Sequence, residues 1–230
     1  MREKILVCPS TDPVSMENGG QISKLIDYVK NVSASGADFI HCDVMDGNFV
    51  PRKTISFAEV KQIKENTTTP LDCHLMTITT LNDVKNFIST GANILTLHIE
   101  NFIKNNRLNL CKLKKFAKFV QKNKRLFGVA FKPNTNIKYI EKTVKFVDLI
   151  LVMSVEPGES GQKFISDTYH KVEILSQIRQ EKDLDFLIEV DGGIDNIVAK
   201  NLKKCGADMV VSGSFIYSAS DKKLCIQSFN

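Results

Sequence analysis

Four side chains in this sequence have the types and the spacing to hold a cation. His41 and Asp43 stand two residues apart in His41-Cys42-Asp43-Val44-Met45-Asp46-Gly47-Asn48-Phe49-Val50-Pro51, so on an extended chain they share a face. His74, in Leu71-Asp72-Cys73-His74-Leu75-Met76, and Asp191, in Glu189-Val190-Asp191-Gly192-Gly193, fall near the ends of two further apolar runs. Burying an unpaired carboxylate is costly, so each polar tip needs a metal, a substrate or another cation. Two imidazoles and two carboxylates suit one divalent first-row ion, Zn, Mn, Fe or Co, through mixed nitrogen and oxygen ligands. For His98 and His170 a hydrogen-bonded structural role is the simpler expectation. Met45, Met76 and Met153 also fall at run ends, as core filler or as a dry, uncharged cap over a site.

A second chemistry is written in glycines. Pro157-Gly158-Glu159-Ser160-Gly161-Gln162 lies between an expected strand and an expected helix, as does Asp191-Gly192-Gly193, and Gly213-Ser214 follows the last strand. Glycine lets backbone N–H groups approach an anion, and a helix N-terminus adds a favourable dipole. Gly158, Glu159, Ser160, Gly161, Gly192, Gly193, Gly213 and Ser214 are therefore candidates for a phosphate end, with ordinary turns as the alternative. Glu159 must turn its carboxylate to solvent, because it would repel a phosphate.

These groups need a scaffold that brings them together. Apolar runs at residues 4–8, 39–44, 71–76, 94–98, 126–131, 147–152, 186–190 and 209–212 read as strands. Helical spacing marks residues 21–35, 57–63, 81–90, 110–123, 137–145, 164–181 and 197–204, with a short last segment over 222–229. Eight strand–helix units without a Pro/Gly/Ser linker favour a (β/α)8 TIM barrel, one domain over residues 1–230, above an open doubly wound sheet. In such a barrel, functional groups gather where strands end. Ser10, His41, Asp43, His74, Asp191, Met45, Met76, Met153 and the glycine segments satisfy that demand.

Composition narrows the class. The chain has 230 residues, 43% of them hydrophobic, enough for a large core. Its 31 basic and 26 acidic residues are interleaved, which argues against nucleic acid as a partner, and the lysines of 110–123 are most simply a solvated face. No apolar run of about 18 residues is present for a membrane span, and the first residues are too soon interrupted for a signal peptide. Six widely spaced cysteines without a CxxC pair read as reduced thiols in a cytoplasmic protein.

The motifs quoted above, with Val152-Met153-Ser154-Val155-Glu156-Pro157-Gly158, resemble the signatures of the ribulose-phosphate 3-epimerase family from Ser10 to about Tyr217. The resemblance implies a (β/α)8 barrel interconverting D-ribulose 5-phosphate and D-xylulose 5-phosphate through an enediolate. It implies one divalent metal per subunit on His41, Asp43, His74 and Asp191, with Asp43 and Asp191 as the acid/base pair. Ser10, His74, Gly158, Gly161, Asp191, Gly192, Gly193, Gly213 and Ser214 would contact the phosphosugar, the methionines would cap the enediolate, and the chain would form a homo-oligomer. The sequence departs from the family pattern at Thr11-Asp12-Pro13-Val14-Ser15, at Arg52 where Asn is common, and at Glu159-Ser160 in place of Phe-Gly. These departures touch loops and no metal ligand. A sister epimerase on a hexulose 6-phosphate such as D-allulose 6-phosphate, a metal-dependent hydrolase and a non-catalytic phosphosugar binder are the other readings.

Overall fold

The computed structural model describes residues 3–17, 21–159 and 161–230. Its strands are β1 (Leu6–Pro9), β2 (Ile40–Met45), β3 (Leu71–Met76), β4 (Ile94–His98), β5 (Leu126–Phe131), β6 (Leu149–Met153), β7 (Leu187–Asp191) and β8 (Met209–Ser212). They form one parallel sheet in the order β1-β8-β7-β6-β5-β4-β3-β2. The remaining gap, between β1 and β2, is spanned by Asp38 N–H donating to the Val7 carbonyl at 3.0 Å and Thr11 N–H donating to the His41 carbonyl at 2.9 Å. The sheet thus curls into the expected (β/α)8 barrel.

Two-residue periodicity sorts each strand's side chains. Ile40, Cys42 and Val44 of β2 face outward into the apolar layer under the helices, and His41, Asp43 and Met45 face the barrel axis. The lower interior is filled by a separate apolar cluster that includes Cys8, Ile94, Ala130, Leu149, Leu151 and Met209. A packed floor therefore lies beneath the polar strand ends.

The helices are specified locally. Helix Phe57–Glu65 opens on a capping box in which Ser56 and Glu59 satisfy each other's backbone N–H groups, and helix Leu81–Ser89 opens on Thr80 and Asp83 in the same way. Such a cap is worth about 1 kcal/mol. Val60 and Ile63, fully buried on the inner side of the first of these, each contribute about 1.5–3 kcal/mol by leaving water. Helix Asn196–Cys205 stops at Gly206, whose φ of 108° a side chain would resist.

Several expected elements are corrected. The helix expected over 137–145 is a single turn, Lys138–Glu141, because the Thr143 hydroxyl and N–H both bond the Ile140 carbonyl and the chain tightens there. The helix expected from 164 starts at Asp167, since Ile165 N–H is taken by the Ser154 carbonyl at 3.0 Å. Strand β6 runs from Leu149 rather than 147; Asp148 instead accepts the Phe127 N–H at 2.8 Å. Helices Asp12–Glu17 and Ser214–Ser218, and a small hairpin pairing Ile103–Lys104 with Arg107–Leu108, were not expected from the sequence. No helix among the described residues is long and apolar enough to cross a membrane.

Candidate active site

Register, more than spacing, builds the site. Strands β2 and β3 pair His41 with Asp72 and Asp43 with His74. The Asp72 carboxylate is 2.6 Å from His41 Nδ1, which fixes that ring and leaves Nε2 toward the mouth, 3.5 Å from Asp43 Oδ1. His74 Nε2 meets His98 Nε2 at 2.9 Å, and His98 Nδ1 meets Glu100 at 3.1 Å. His74 Nδ1 is left facing Asp43 Oδ1 at 3.4 Å and Asp191 Oδ2 at 4.0 Å. His41, Asp43, His74 and Asp191 each bring one ligand atom to within 4.8 Å of the others.

The residues fit a divalent metal on an observation independent of their names. His41 Nε2 and His74 Nδ1 are fully buried, make no hydrogen bond, and point at carboxylates. Leaving such nitrogens unsatisfied is costly, and a shared cation satisfies both while neutralising Asp43 and Asp191. Each imidazole is also backed through its other nitrogen, as metal-ligating histidines commonly are.

The neighbouring charges act strongly on one another. Burial alone would raise the Asp43 carboxyl, but His41 and His74 hold it well below the usual carboxylate range. Asp191 moves the other way: burial and the Asp43 charge push it up to about 8. Burial would lower His41, yet Asp43 and Asp72 raise it above its ordinary value, whereas burial brings His74 down to about 4 despite Asp43. Below them Glu189 is fully buried with neither oxygen hydrogen-bonded, 3.8 Å from His41 Nδ1, and burial together with Asp72 raises its pKa. Ser10 Oγ donates to Asp43 Oδ2 at 2.6 Å and accepts from Asp12 N–H at 2.9 Å, so one oxygen of Asp43 is tethered while Oδ1 faces the histidines.

Above this cluster opens a cleft at the strand ends. Asp43, Asp191 and Ser10 line it, as do all three methionines, each at most 5% exposed. Gly158, Glu159, Gly161, Gly192, Gly193, Gly213 and Ser214 also line it; Ser160 lies outside the described residues. His41 and His74 are fully buried and sit beneath the lining. Glu159 is exposed, as its charge requires. Gly193 (φ 63°) is crowded by backbone: a Cβ there would lie 2.6 Å from Phe164 N and 2.8 Å from Gln162 O. No lysine, arginine or histidine is among the described residues lining the cleft.

Sequence reasoning missed the groups that lie behind the candidate ligands. Asp72 and Glu189 were visible as same-parity neighbours of His74 and Asp191, and His98-x-Glu100 as a charged pair at a strand end. The structure also brings together two departures from the family pattern, Asp12 and Arg52, in an ion pair.

An eight-stranded parallel barrel with two histidines and two aspartates converging at its strand ends is a TIM-barrel protein with a candidate metal centre. Among solved structures it is similar to 3-hexulose-6-phosphate synthase from Salmonella typhimurium (TM-score 0.71, 15% identity, 98% of this chain and 96% of the other). It is also similar to 3-keto-L-gulonate-6-phosphate decarboxylase from Vibrio cholerae (TM-score 0.70, 11% identity, 98% and 95%), and at these identities the likeness concerns the fold alone. The model of the ribulose-phosphate 3 epimerase family matches residues 18–217. Ribulose-phosphate 3-epimerase of Chlamydia muridarum is 36% identical over 218 residues, covering 94% of this chain and 90% of its own. That of Bacillus subtilis is 37% identical over 200 residues, covering 86% and 88%. The chain belongs to the ribulose-phosphate 3-epimerase family.

Proposed function

We propose that this protein is a metal-dependent 3-epimerase that interconverts D-ribulose 5-phosphate and D-xylulose 5-phosphate, its 230 residues acting as one barrel domain. The observation that carries the reading is the convergence of Asp43, from β2, and Asp191, from β7, on one pair of unsatisfied imidazole nitrogens. These strands lie three places apart around the ring, so the two carboxylates approach the cleft from different walls. Inverting a carbon beside a ketone needs a proton removed from one face and one delivered to the other. Two carboxylates on separate walls do this, one as base and one as acid, and exchange roles with the direction of reaction.

His41, Asp43, His74 and Asp191 would hold one divalent ion, Zn, Fe, Mn or Co. Bound there, such an ion supplies Lewis-acid polarisation of the substrate ketone and its neighbouring hydroxyl. Ser10 keeps Asp43 aimed by holding its second oxygen. Met45, Met76 and Met153 exclude water from the enediolate and offer it no proton. Gly158, Gly161, Gly192, Gly193, Gly213 and Ser214 receive the phosphate through backbone and hydroxyl donors. The six unpaired cysteines, Cys111 exposed among them, suit a reducing compartment, and we place the enzyme in the cytoplasm as a homo-oligomer.

The test is turnover of D-ribulose 5-phosphate against D-allulose 6-phosphate in deuterated solvent. Faster turnover of the pentulose phosphate, with deuterium entering at C3, is expected. Preference for the hexulose phosphate, release of inorganic phosphate, or no exchange at C3 would each replace the reading.

A further inference from the structure

Arg52 is absent from the cleft's lining, yet three of the loops around the mouth meet on it. It follows the Val50-Pro51 turn after β2. One guanidinium nitrogen donates to the Gly158 carbonyl at 2.9 Å, in the loop after β6, and another pairs with the Asp12 carboxylate just beyond β1. The Arg52 side chain is 22% exposed and that of Asp12 only 8%. Asp12 itself lines the cleft, as Gly158 and Glu159 do. Val50, from the same turn as Arg52, abuts Gly158: a Cβ on that glycine would come within 3.1 Å of Val50 Cβ.

Two consequences follow from this placement. A recessed carboxylate in a cleft that receives an anion repels it, and partial exclusion of water strengthens the repulsion. Arg52 cancels that charge in place, and its planar fork can engage the carboxylate and a carbonyl together where a lysine would serve only one well. The bond to the Gly158 carbonyl also sets the peptide plane that Gly158 shares with Glu159. In a trans peptide the N–H points opposite to the C=O, so Arg52 fixes the direction of one backbone donor in the glycine loop.

We propose that Arg52 is a positioning residue for the anionic end of the substrate, neutralising Asp12 and orienting the Gly158 loop without touching the phosphate. The proposal rests on reading the cleft as a sugar-phosphate site. It is tested with Arg52→Met, Asp12→Asn and the double variant, each metal-loaded. Two quantities are read: the Kd of inorganic phosphate by calorimetry, and kcat and KM for D-ribulose 5-phosphate. Arg52→Met is expected to raise both Kd and KM by about tenfold with kcat changed less than about threefold, since it removes a cation paired with a recessed carboxylate beside the anion. Adding Asp12→Asn is expected to recover part of that loss, a coupling that general loosening of the fold does not produce. Should Arg52→Met not fold by its thermal melt, Arg52→Lys takes its place, with an intermediate loss expected. Kd and KM within twofold of the parent, a loss confined to kcat, or a double variant no better than the single one overturns the proposal. A parent protein that binds phosphate without epimerising the sugar sinks the epimerase reading and leaves the Kd arm to decide on Arg52. A parent that epimerises the sugar phosphate but binds no inorganic phosphate keeps the epimerase reading and leaves the KM arm to decide on Arg52.

Discussion

His98 and His74 face each other through their Nε2 atoms at 2.9 Å, and only one hydrogen can lie between them. For His74 Nδ1 to offer a lone pair to a metal, His74 must carry its proton on Nε2. His98 then accepts at Nε2, carries its own proton on Nδ1, and donates it to Glu100 at 3.1 Å. Glu100 is held in turn by Lys132 N–H at 3.0 Å and by the Thr135 hydroxyl. With a metal at the candidate position, one tautomer is thus dictated along a chain from the β5 loop to that site.

Breaking that chain weakens metal binding without touching a ligand. His98→Phe, which keeps a flat ring against Phe49 but removes the acceptor, is expected to raise the metal Kd by about 10–100-fold. Competition titration against a chromophoric chelator measures it. An unchanged Kd would refute the tautomer assignment.

Asp43→Asn preserves shape and the Ser10 contact but cannot take up a proton. We expect turnover to fall at least about 100-fold, within the usual range for a general acid or base, with the far-ultraviolet dichroism unchanged. A loss smaller than about tenfold would remove Asp43 from the proton-transfer role.

Glu100 predicts a pH dependence of stability. Burial would raise its carboxyl, but His98, Thr135 and the Lys132 N–H hold it down to about 2 against an unperturbed 4.5. A depressed carboxyl stabilises the fold above the unfolded value and loses that contribution as pH falls through the folded one. The melting temperature of the metal-free parent therefore exceeds that of Glu100→Gln at neutral pH, and the gap closes between about pH 4.5 and 2. A gap of constant size across that window would contradict the assignment.

Gly193→Ala sets a Cβ against backbone that has no rotamer to escape into. Strain at such a position costs of order 1–3 kcal/mol. Denaturant unfolding measures the loss, and KM is expected to rise with it because the loop lines the cleft. Parent-like stability and KM would show that the loop relaxes freely.

How much of this was legible from residues alone depended on how local the signal was. Strand Leu71–Met76 has the bounds its apolar run suggests, because every one of its residues is buried. His41, Asp43, His74 and Asp191 were legible because parity along a strand decides which side chains face the axis. His98 was not. Its partner depends on the stagger of β3 against β4, where His74 pairs with Thr96 and the His98 ring reaches back one step. Arg52 and Asp12 are 40 residues apart, and nothing in either loop announces the other. The Lys138–Glu141 turn was overestimated because apolar spacing at Ile140, Val144 and Val147 is satisfied equally by tight turns that keep those residues buried.

The absence of cationic side chains among the described residues of the cleft wall reaches beyond geometry. A lysine cradle loses its grip on a dianion as electrolyte is added, because counter-ions shield the attraction. In the proposed phosphate site the donors would be backbone N–H groups and the Ser214 hydroxyl, and among the described lining residues Glu156 and Glu159 expose their carboxylates. Added salt screens their repulsion, so this rim favours an affinity for sugar phosphate that holds steady or improves with ionic strength, the reverse of the sign a basic pocket would give.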